Sequence, residues 1–437
     1  MQSETDGIAV ESDQTNEFHG LVNGCPRTIP QQPYTIVTEI TKFLCKLQIL
    51  CCSKFKGCSR QLICVTIVHL YLLMILAHTI FYILELGFGY ASVGRDASIG
   101  TLKDIVYNSR YTFMVLKSAI IMVSFRMRSC SILAVAENVV KELYIWPVDT
   151  RRTVSRVTLT LVCILLIFAL SWEVMEFIRW ETEFLETWML PVTLSMIGQK
   201  IPLWRLLAAW YTLATPINIL MNVCMIYYAS IVLSIYLSWK SVNRLIKRQG
   251  KQYIFDGFEA DWERLRNLAE SADDTFAICV FVAWVADIAC AVGYLGSVVI
   301  YGGGRPIEQA YTILGLFIHA IWNPACYLIP CILFHEEMAQ TQRLVISATQ
   351  NGDQPERYNG SFQDMILHSS LILQKVAYRP EAFTAWKFFF VTRNMILTIS
   401  TVLVSYALVL VQLVGRKQDV QGVVNLINEK MNYSGSF

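Results

Sequence analysis

The last apolar stretch of the chain decides the fold, and it reads Ser405-Tyr406-Ala407-Leu408-Val409-Leu410-Val411-Gln412-Leu413. It lies in an uncharged run, Met395–Val414, which is long enough to cross a bilayer as a helix of about 20 residues. A side-chain amide is costly in hydrocarbon unless it meets a partner or water. Gln412 is therefore predicted to face another helix or a water path. The residues alone leave open whether it makes a structural hydrogen bond or serves a pore.

The composition predicts that this stretch is one of several membrane spans. Hydrophobic residues make up 54 % of the chain and charged residues 16 %, whereas soluble domains carry about 25 % charged residues. We predict an all-α membrane protein with seven transmembrane helices. The spans are Leu62–Leu84, Asp104–Phe125, Val157–Phe177, Leu206–Leu237, Thr275–Ile300, Ala310–Phe334 and Phe390–Val414. The net charge of +2 gives no basic field for a nucleic-acid partner, and no residue pattern indicates a metal or another cofactor.

The distribution of Lys and Arg predicts the orientation of these spans, because basic residues concentrate in cytosolic loops. With the N-terminus inside, 24 basic residues lie in the inner segments, 9 lie in the outer segments, and the other three of the 36 lie within spans. This bias places the N-terminus in the cytosol and the C-terminus outside. The sequon Asn432-Tyr433-Ser434 is then available for glycosylation at Asn432.

The inner segments are also predicted to be helical. In 258–274 the apolar residues recur every three or four positions, with charged residues on the opposite face. They are Phe258, Trp262, Leu265, Ala269 and Ala272. Spans four, five and six are therefore expected to continue into the cytosol and pack there as a bundle. The bundle either forms an assembly contact between subunits, or its apolar stripes only pack against each other within one chain.

The last span resembles the seventh-helix signature of the insect gustatory and odorant receptor superfamily. That signature is Thr-Tyr, five apolar residues, then Gln-Phe, and this chain has Ser405-Tyr406, five apolar residues and Gln412-Leu413. The Ser and the Leu depart from it. The run Lys387–Arg393 (KFFFVTR) is similar to the equivalent run in sugar-type gustatory receptors.

The resemblance implies a ligand-gated, non-selective cation channel in the plasma membrane of a chemosensory neuron, with sugars favoured as ligands and bitter compounds left open. Such a multi-pass receptor assembles as a homo- or heterotetramer with other gustatory receptors, in contact with the lipid bilayer, and its ligand is a small-molecule tastant. Its seventh helices line the pore. The pore and gate would involve Ser405, Val409, Gln412 and Leu413, with Tyr406 as the signature residue.

With this resemblance the chain divides into five parts. They are a cytosolic N-terminal segment, 1–61; a six-helix ligand-binding bundle with cytosolic helix extensions, 62–334; a cytosolic linker and amphipathic helix, 335–389; the pore-lining seventh helix, 390–414; and an extracellular tail, 415–437.

The ligand pocket of this family lies among helices two to six. Aromatic side chains with acids and amides suit a small polar ligand there, although each residue also has an ordinary structural role open to it. The candidates are Trp172, Glu173, Glu176, Tyr211, Asn218, Asp287, Tyr294, His319 and Trp322. Charges within spans are usually paired or line water, so Asp287, Arg110 and Lys117 each require a partner. Pairing of Arg110 with Glu173 or Glu176 is one structural possibility.

The sequence gives less support to two other classes of function. Asn323-Pro324-Ala325-Cys326-Tyr327 matches the Asn-Pro-x-x-Tyr motif of rhodopsin-like receptors coupled to G proteins. It lies in span six with a further span after it, and such a receptor requires the opposite orientation. The motif is better explained as a proline kink. A membrane enzyme or transporter finds no support in a catalytic dyad, a metal-ligand spacing or an internal repeat, and no enzymatic activity is predicted.

Overall fold

The computed structural model of the chain describes most of the predicted bundle. The described residues are 35–46, 73, 113–114, 116–182, 215–300, 306–350, 367, 370–372, 374–375, 383–385, 389–406, 408–409 and 412. The predicted first span, apart from Leu73, and the tail after Gln412 lie outside this set.

The described residues are almost entirely helical. The first four helices are α1, Ile36–Lys46; α2, Leu116–Met127; α3, Ser129–Ile145; and α4, Val148–Thr182. The next is α5, Thr215–Gln249. α6 comprises Lys251–Tyr253, a π turn at Ile254–Phe258 and Glu259–Ile300. α7 comprises Pro306–Phe317, a π turn at Ile318–Trp322 and Asn323–Gln350. α8 covers 393–409, with residue 407 not described.

Four of these helices are long and apolar enough to cross a membrane within the described part of the chain: those of α4, α5, α6 and α7. α2 and α3 form a fifth candidate if they are counted as one span, although they bend by 75° at Arg128. The protein is thus an all-α membrane protein with several apolar spans. The number seven and the orientation of the termini stay predictions.

α5 is the centre of the core. It packs against α7, α4 and α6, and Tyr227, Ile231 and Trp239 along its length are completely buried. The indole N–H of Trp239 donates to Thr341 Oγ1 at 2.7 Å, which satisfies the one polar atom of a large buried side chain.

α5, α6 and α7 continue well past their apolar stretches toward the end of the bundle that the charge bias predicts to be cytosolic, called here the inner end. The predicted stripe on 258–274 is confirmed, since all five of its apolar side chains are buried. Of the amphipathic helix predicted at the end of the segment 335–389, the buried Ile372 is described, and most of its other positions lie outside the described residues.

A polar network ties α3 to α6 at the inner end. Arg264 donates to Glu142 at 2.7 Å and to Asp261 at 2.8 Å. Trp146 Nε1 donates to Glu142 Oε1 at 2.7 Å. Tyr253 donates its hydroxyl to Asp261 at 2.6 Å, and burial together with this bond raises the pKa of Tyr253. These contacts satisfy the nearly buried Glu142, whose isolation would be costly.

A small hairpin leads into α8. Its strands are β1, Thr384–Ala385, and β2, Phe389–Phe390, and they pair antiparallel with Thr384 opposite Phe390. Phe383 and Val391 flank the hairpin and are buried. Beyond this point the chain emerges from the core, and the described side chains of α8 from Leu397 onward are half-buried or exposed.

Candidate functional site

A cavity lies among α2, α4, α5 and α7. Its volume is about 70 Å³. The lining residues are Met114 and Lys117 near or on α2; Leu165, Phe168, Ala169 and Trp172 on α4; Ile219, Met221 and Asn222 on α5; and Ile318, His319, Trp322 and Asn323 on α7. The α4 residues follow helical i, i+3, i+4, i+7 spacing, so one face of that helix forms a wall.

The walls are largely aromatic and aliphatic. Phe168 packs against Trp322 with ring centroids 5.1 Å apart. Trp172 lies 4.5 Å from the Tyr311 ring and meets Tyr294 edge-on at 5.9 Å. Apolar walls with a few polar groups are the usual construction of small-molecule sites, because the walls provide burial and the polar groups fix orientation.

Asp287 of α6 is the centre of a polar cluster behind the cavity. Its side chain is completely buried, and Lys117 Nζ lies 2.8 and 2.9 Å from its two carboxylate oxygens. Tyr327 donates to Oδ2 at 3.0 Å and Asn323 to Oδ1 at 3.2 Å. His319 Nδ1 lies 2.8 Å from Oδ1 and donates in the tautomer with hydrogen on Nδ1.

This cluster provides the partners that the sequence predicted Asp287 and Lys117 to need. A buried carboxylate in a membrane bundle needs a counter-charge and hydrogen-bond donors, and Asp287 has both. Lys117, His319 and Asn323 also line the cavity. The cluster therefore forms one wall of the cavity while its charges compensate each other.

The π turn of α7 positions two of these donors. The backbone N–H of Asn323 bonds to the carbonyl of Ile318, five residues earlier, and Pro324 follows with no N–H to contribute. The irregularity expected at Pro324 is thus a widened turn before the proline. Because π turns shift side chains around the helix axis, His319 and Asn323 both reach Asp287.

Gly315 allows α7 to approach α6 closely. A Cβ at this position would lie 2.4 Å from Cε1 of the Tyr294 ring, far inside van der Waals contact. The Tyr294 ring also stacks on His319, with centroids 5.7 Å apart and an interplanar angle of 13°. The small residue therefore determines how the Tyr294 ring lies behind the cavity.

The structure brings together five of the predicted ligand residues. Trp172, His319 and Trp322 line the cavity, while Tyr294 and Asp287 pack behind it. The side chains of Glu173, Glu176, Asn218 and Tyr211 lie outside the described set, as does Arg110, so the proposed pairing of Arg110 with either glutamate stays a prediction.

Sequence reasoning missed Asn222, whose side chain lines the cavity. The available signal was its spacing, because Asn222 lies one helical turn after Asn218, on the same face of α5. Of the predicted pore residues, Ser405, Val409 and Gln412 are exposed and described, whereas Leu413 lies outside the described residues.

Comparisons with known proteins concern both the helix bundle around the cavity and α8. The family model described as trehalose receptor matches residues 371–422, which include the hairpin and α8. The predicted resemblance to insect gustatory receptors is confirmed. Comparison with curated proteins gives no significant sequence match.

Solved structures show the same fold. The insect olfactory receptor OR5 from Machilis hrabei is similar with a TM-score of 0.55 at 12 % identity, covering 86 % of this chain and 99 % of that one. The structure of the same receptor in complex with eugenol gives a TM-score of 0.58 with the same identity and coverage. The chain therefore has the fold of this olfactory receptor, and its residues 371–422 are similar to the trehalose-receptor family model.

Proposed function

We propose that the protein is a tastant-gated cation channel of the plasma membrane, with sugars as the leading class of ligand. The observation that carries this proposal is the position of the trehalose-receptor match, 371–422, on a final apolar helix that is largely exposed in the single chain. Helices of this composition need lipid or protein partners, and four copies around an axis would provide them and enclose a pore.

The exposure of α8 supports an assembly. Val402, Leu408 and Val409 are 62 %, 59 % and 51 % exposed. Gln412 follows on the same helix and is also exposed. Rings of Val409 and Leu413 would close a pore by excluding water, and a ring of Gln412 amides would solvate a passing cation.

The cavity supports small-molecule control of such a pore. A ligand there would lie against Trp172 and Trp322, and polar atoms of Asn222 and Asn323 would bind its hydroxyl groups. Gating requires that the ligand bind the open arrangement more tightly than the closed one, because only differential affinity shifts a conformational equilibrium. The olfactory receptor of the same fold has been solved with eugenol, which is a small molecule.

The test is expression of the full chain in oocytes with a panel of sugars that includes trehalose. We expect a sugar-evoked cation current, and Trp322→Ala should raise the half-maximal sugar concentration while surface expression is unchanged. The matched control is Ile321→Ala, since Ile321 is the neighbouring residue and is 57 % exposed. Equal dose–response curves for parent and Trp322→Ala would remove the cavity from the proposal.

Epitope tags at the two ends of the chain separate this proposal from a receptor coupled to G proteins. Our orientation predicts that intact cells bind an antibody to the C-terminal tag and not to the N-terminal tag. The reverse pattern would contradict the channel proposal and favour the other class.

A further inference from the structure

We infer that the contact between Asp273 of α6 and Thr384 of β1 is the joint through which α6 positions the pore helix α8. This inference rests on the proposed function. It assigns Asp273 and Thr384 as positioning residues for gating, at a site separate from both the cavity and the pore.

The contact is a buried two-point clamp. The backbone N–H of Thr384 donates to Asp273 Oδ1 at 2.7 Å, and the Thr384 hydroxyl donates to Oδ2 at 2.7 Å. Asp273 is 6 % exposed and Thr384 is 8 % exposed. Hydrogen bonds to an ionised acceptor are about twice as strong as neutral ones, and two of them to one carboxylate fix the direction of the strand as well as its distance.

One uninterrupted helix links this clamp to the cavity. Glu259–Ile300 carries both Asp273 and Asp287, and fourteen residues of α-helix span about 21 Å. Asp287 binds Lys117 and donors on α7, so any ligand that moves the cavity wall pulls on α6. An unbroken helix is a rigid element that can couple the two sites.

The same turn of α6 holds a second element. Arg128, at the bend between α2 and α3, donates from Nη1 to the carbonyl oxygens of Asp274 and Thr275 at 2.6 and 3.1 Å. Phe276 of this turn packs against Phe125 of α2 at 5.7 Å between ring centroids. α2 and β1 therefore meet at one point on α6.

The hairpin connects the Asp273 contact to the start of α8. Phe383 packs against Phe334 at 5.1 Å between ring centroids, and the backbone N–H of Val391 donates to the Phe383 carbonyl at 2.8 Å. α8 begins two residues after Val391. Since α8 beyond Leu397 is largely exposed, this inner end is where the described chain holds the helix.

The test uses currents from the full chain in oocytes, with trehalose and sucrose as the applied ligands, normalised to surface-labelled protein. Thr384→Val removes the hydroxyl bond of the clamp and should change the half-maximal sugar concentration about tenfold, the equivalent of one charge-assisted hydrogen bond. Asp273→Ala removes both acceptor oxygens and should change it at least as much. The double variant should change it no further than Asp273→Ala, because both substitutions act on the same joint. Thr384→Ser keeps the hydroxyl and should behave as the parent.

Glu270→Gln is the matched control, because Glu270 lies one turn earlier on the same helix and is about half exposed. A purely structural role for Asp273 would lower surface expression in its variants and leave the dose–response curve of the remaining receptors unchanged. That result, or additive shifts in the double variant, would overturn the inference.

A second measurement requires no current. Hydrogen exchange of the purified full chain in lipid nanodiscs should be about tenfold faster in Asp273→Ala at the Thr384 amide, and the increase should extend through residues 393–400. An increase confined to 383–385 would overturn the inference. If the parent chain gives no sugar-evoked current, the proposed function is contradicted. The hydrogen-exchange result then still tests whether the Asp273–Thr384 contact positions α8.

Discussion

α5 and α8 are both apolar helices, yet α5 is largely buried in the folded chain and α8 is largely exposed. In the most apolar stretch of α5, 78 % of the residues are buried, and its aromatic side chains fill the core. In α8, by contrast, Leu397 and Val404 are 58 % and 59 % exposed. α5 finds its partners within the chain, whereas α8 is held at its inner end and has its apolar surface available to lipid or to other subunits.

The difference separates stability from function. The helix that matches the receptor family is not the helix that holds the monomer together, so substitutions in α5 and α8 should affect different measurements. Unfolding of the purified chain should report on α5, and ion conduction should report on α8.

The largest effect is expected in the core. Trp239→Ala should lower the free energy of unfolding by about 4 kcal/mol, because it leaves a large cavity and also removes a donor from Thr341. Unfolding of the detergent-solubilised chain measures this. The matched substitution on α8, Val402→Ala, should change stability by less than about 0.5 kcal/mol. Similar losses from both would break the comparison.

The next effect concerns the cluster behind the cavity. Lys117→Met should cost about 3 kcal/mol, because it leaves the completely buried Asp287 carboxylate without its counter-charge. The double variant Lys117→Met/Asp287→Asn removes both charges and should recover much of the loss. If Lys117→Met alone unfolds like the parent, the ion pair is not formed.

Gly315→Ala should have a smaller effect on stability. The added methyl group would lie 2.4 Å from the Tyr294 ring, and overpacking of this kind costs about 2 kcal/mol. Because the Tyr294 ring also packs against Trp172, the half-maximal sugar concentration should change as well. Tyr294→Leu in the same background provides space and should relieve the stability loss; no relief would place the strain elsewhere.

The smallest effect on stability and the clearest effect on conduction are expected at the end of α8. Gln412→Ala should alter relative ion permeability, and Leu413→Ala should raise the basal leak, while each changes the free energy of unfolding by less than about 0.5 kcal/mol. Currents from surface-labelled cells measure the first two quantities. Parent-like conduction in both variants would remove them from the pore.

The sequence predicted the elements whose signal is local. Long apolar runs located spans three to six, and the spacing of Phe258, Trp262 and Leu265 predicted a buried face that the structure has. The family resemblance was predicted from Ser405-Tyr406, five apolar residues and Gln412-Leu413, and the family-model match includes these positions.

Contacts between distant parts of the chain were not predictable. Lys117 and Asp287 are 170 residues apart, and the sequence indicated that each needs a partner without saying which. The Asp273–Thr384 clamp and the 75° bend at Arg128 likewise depend on packing, for which periodicity carries no signal. Asn222 differs from these contacts, because its spacing from Asn218 was a signal; it was missed since many polar residues on α5 could face the cavity.

The central claim is that α8 lines a water-filled path shared between subunits. Its most direct test is single-cysteine substitution at Val402, Leu408, Val409 and Gln412, followed by a membrane-impermeant, water-soluble thiol reagent during current recording, with the parent chain as the control for native cysteines. The account predicts that Val409→Cys and Gln412→Cys react and lose current, whereas Leu408→Cys does not. If the reagent leaves the current of all four variants unchanged, the claim is wrong.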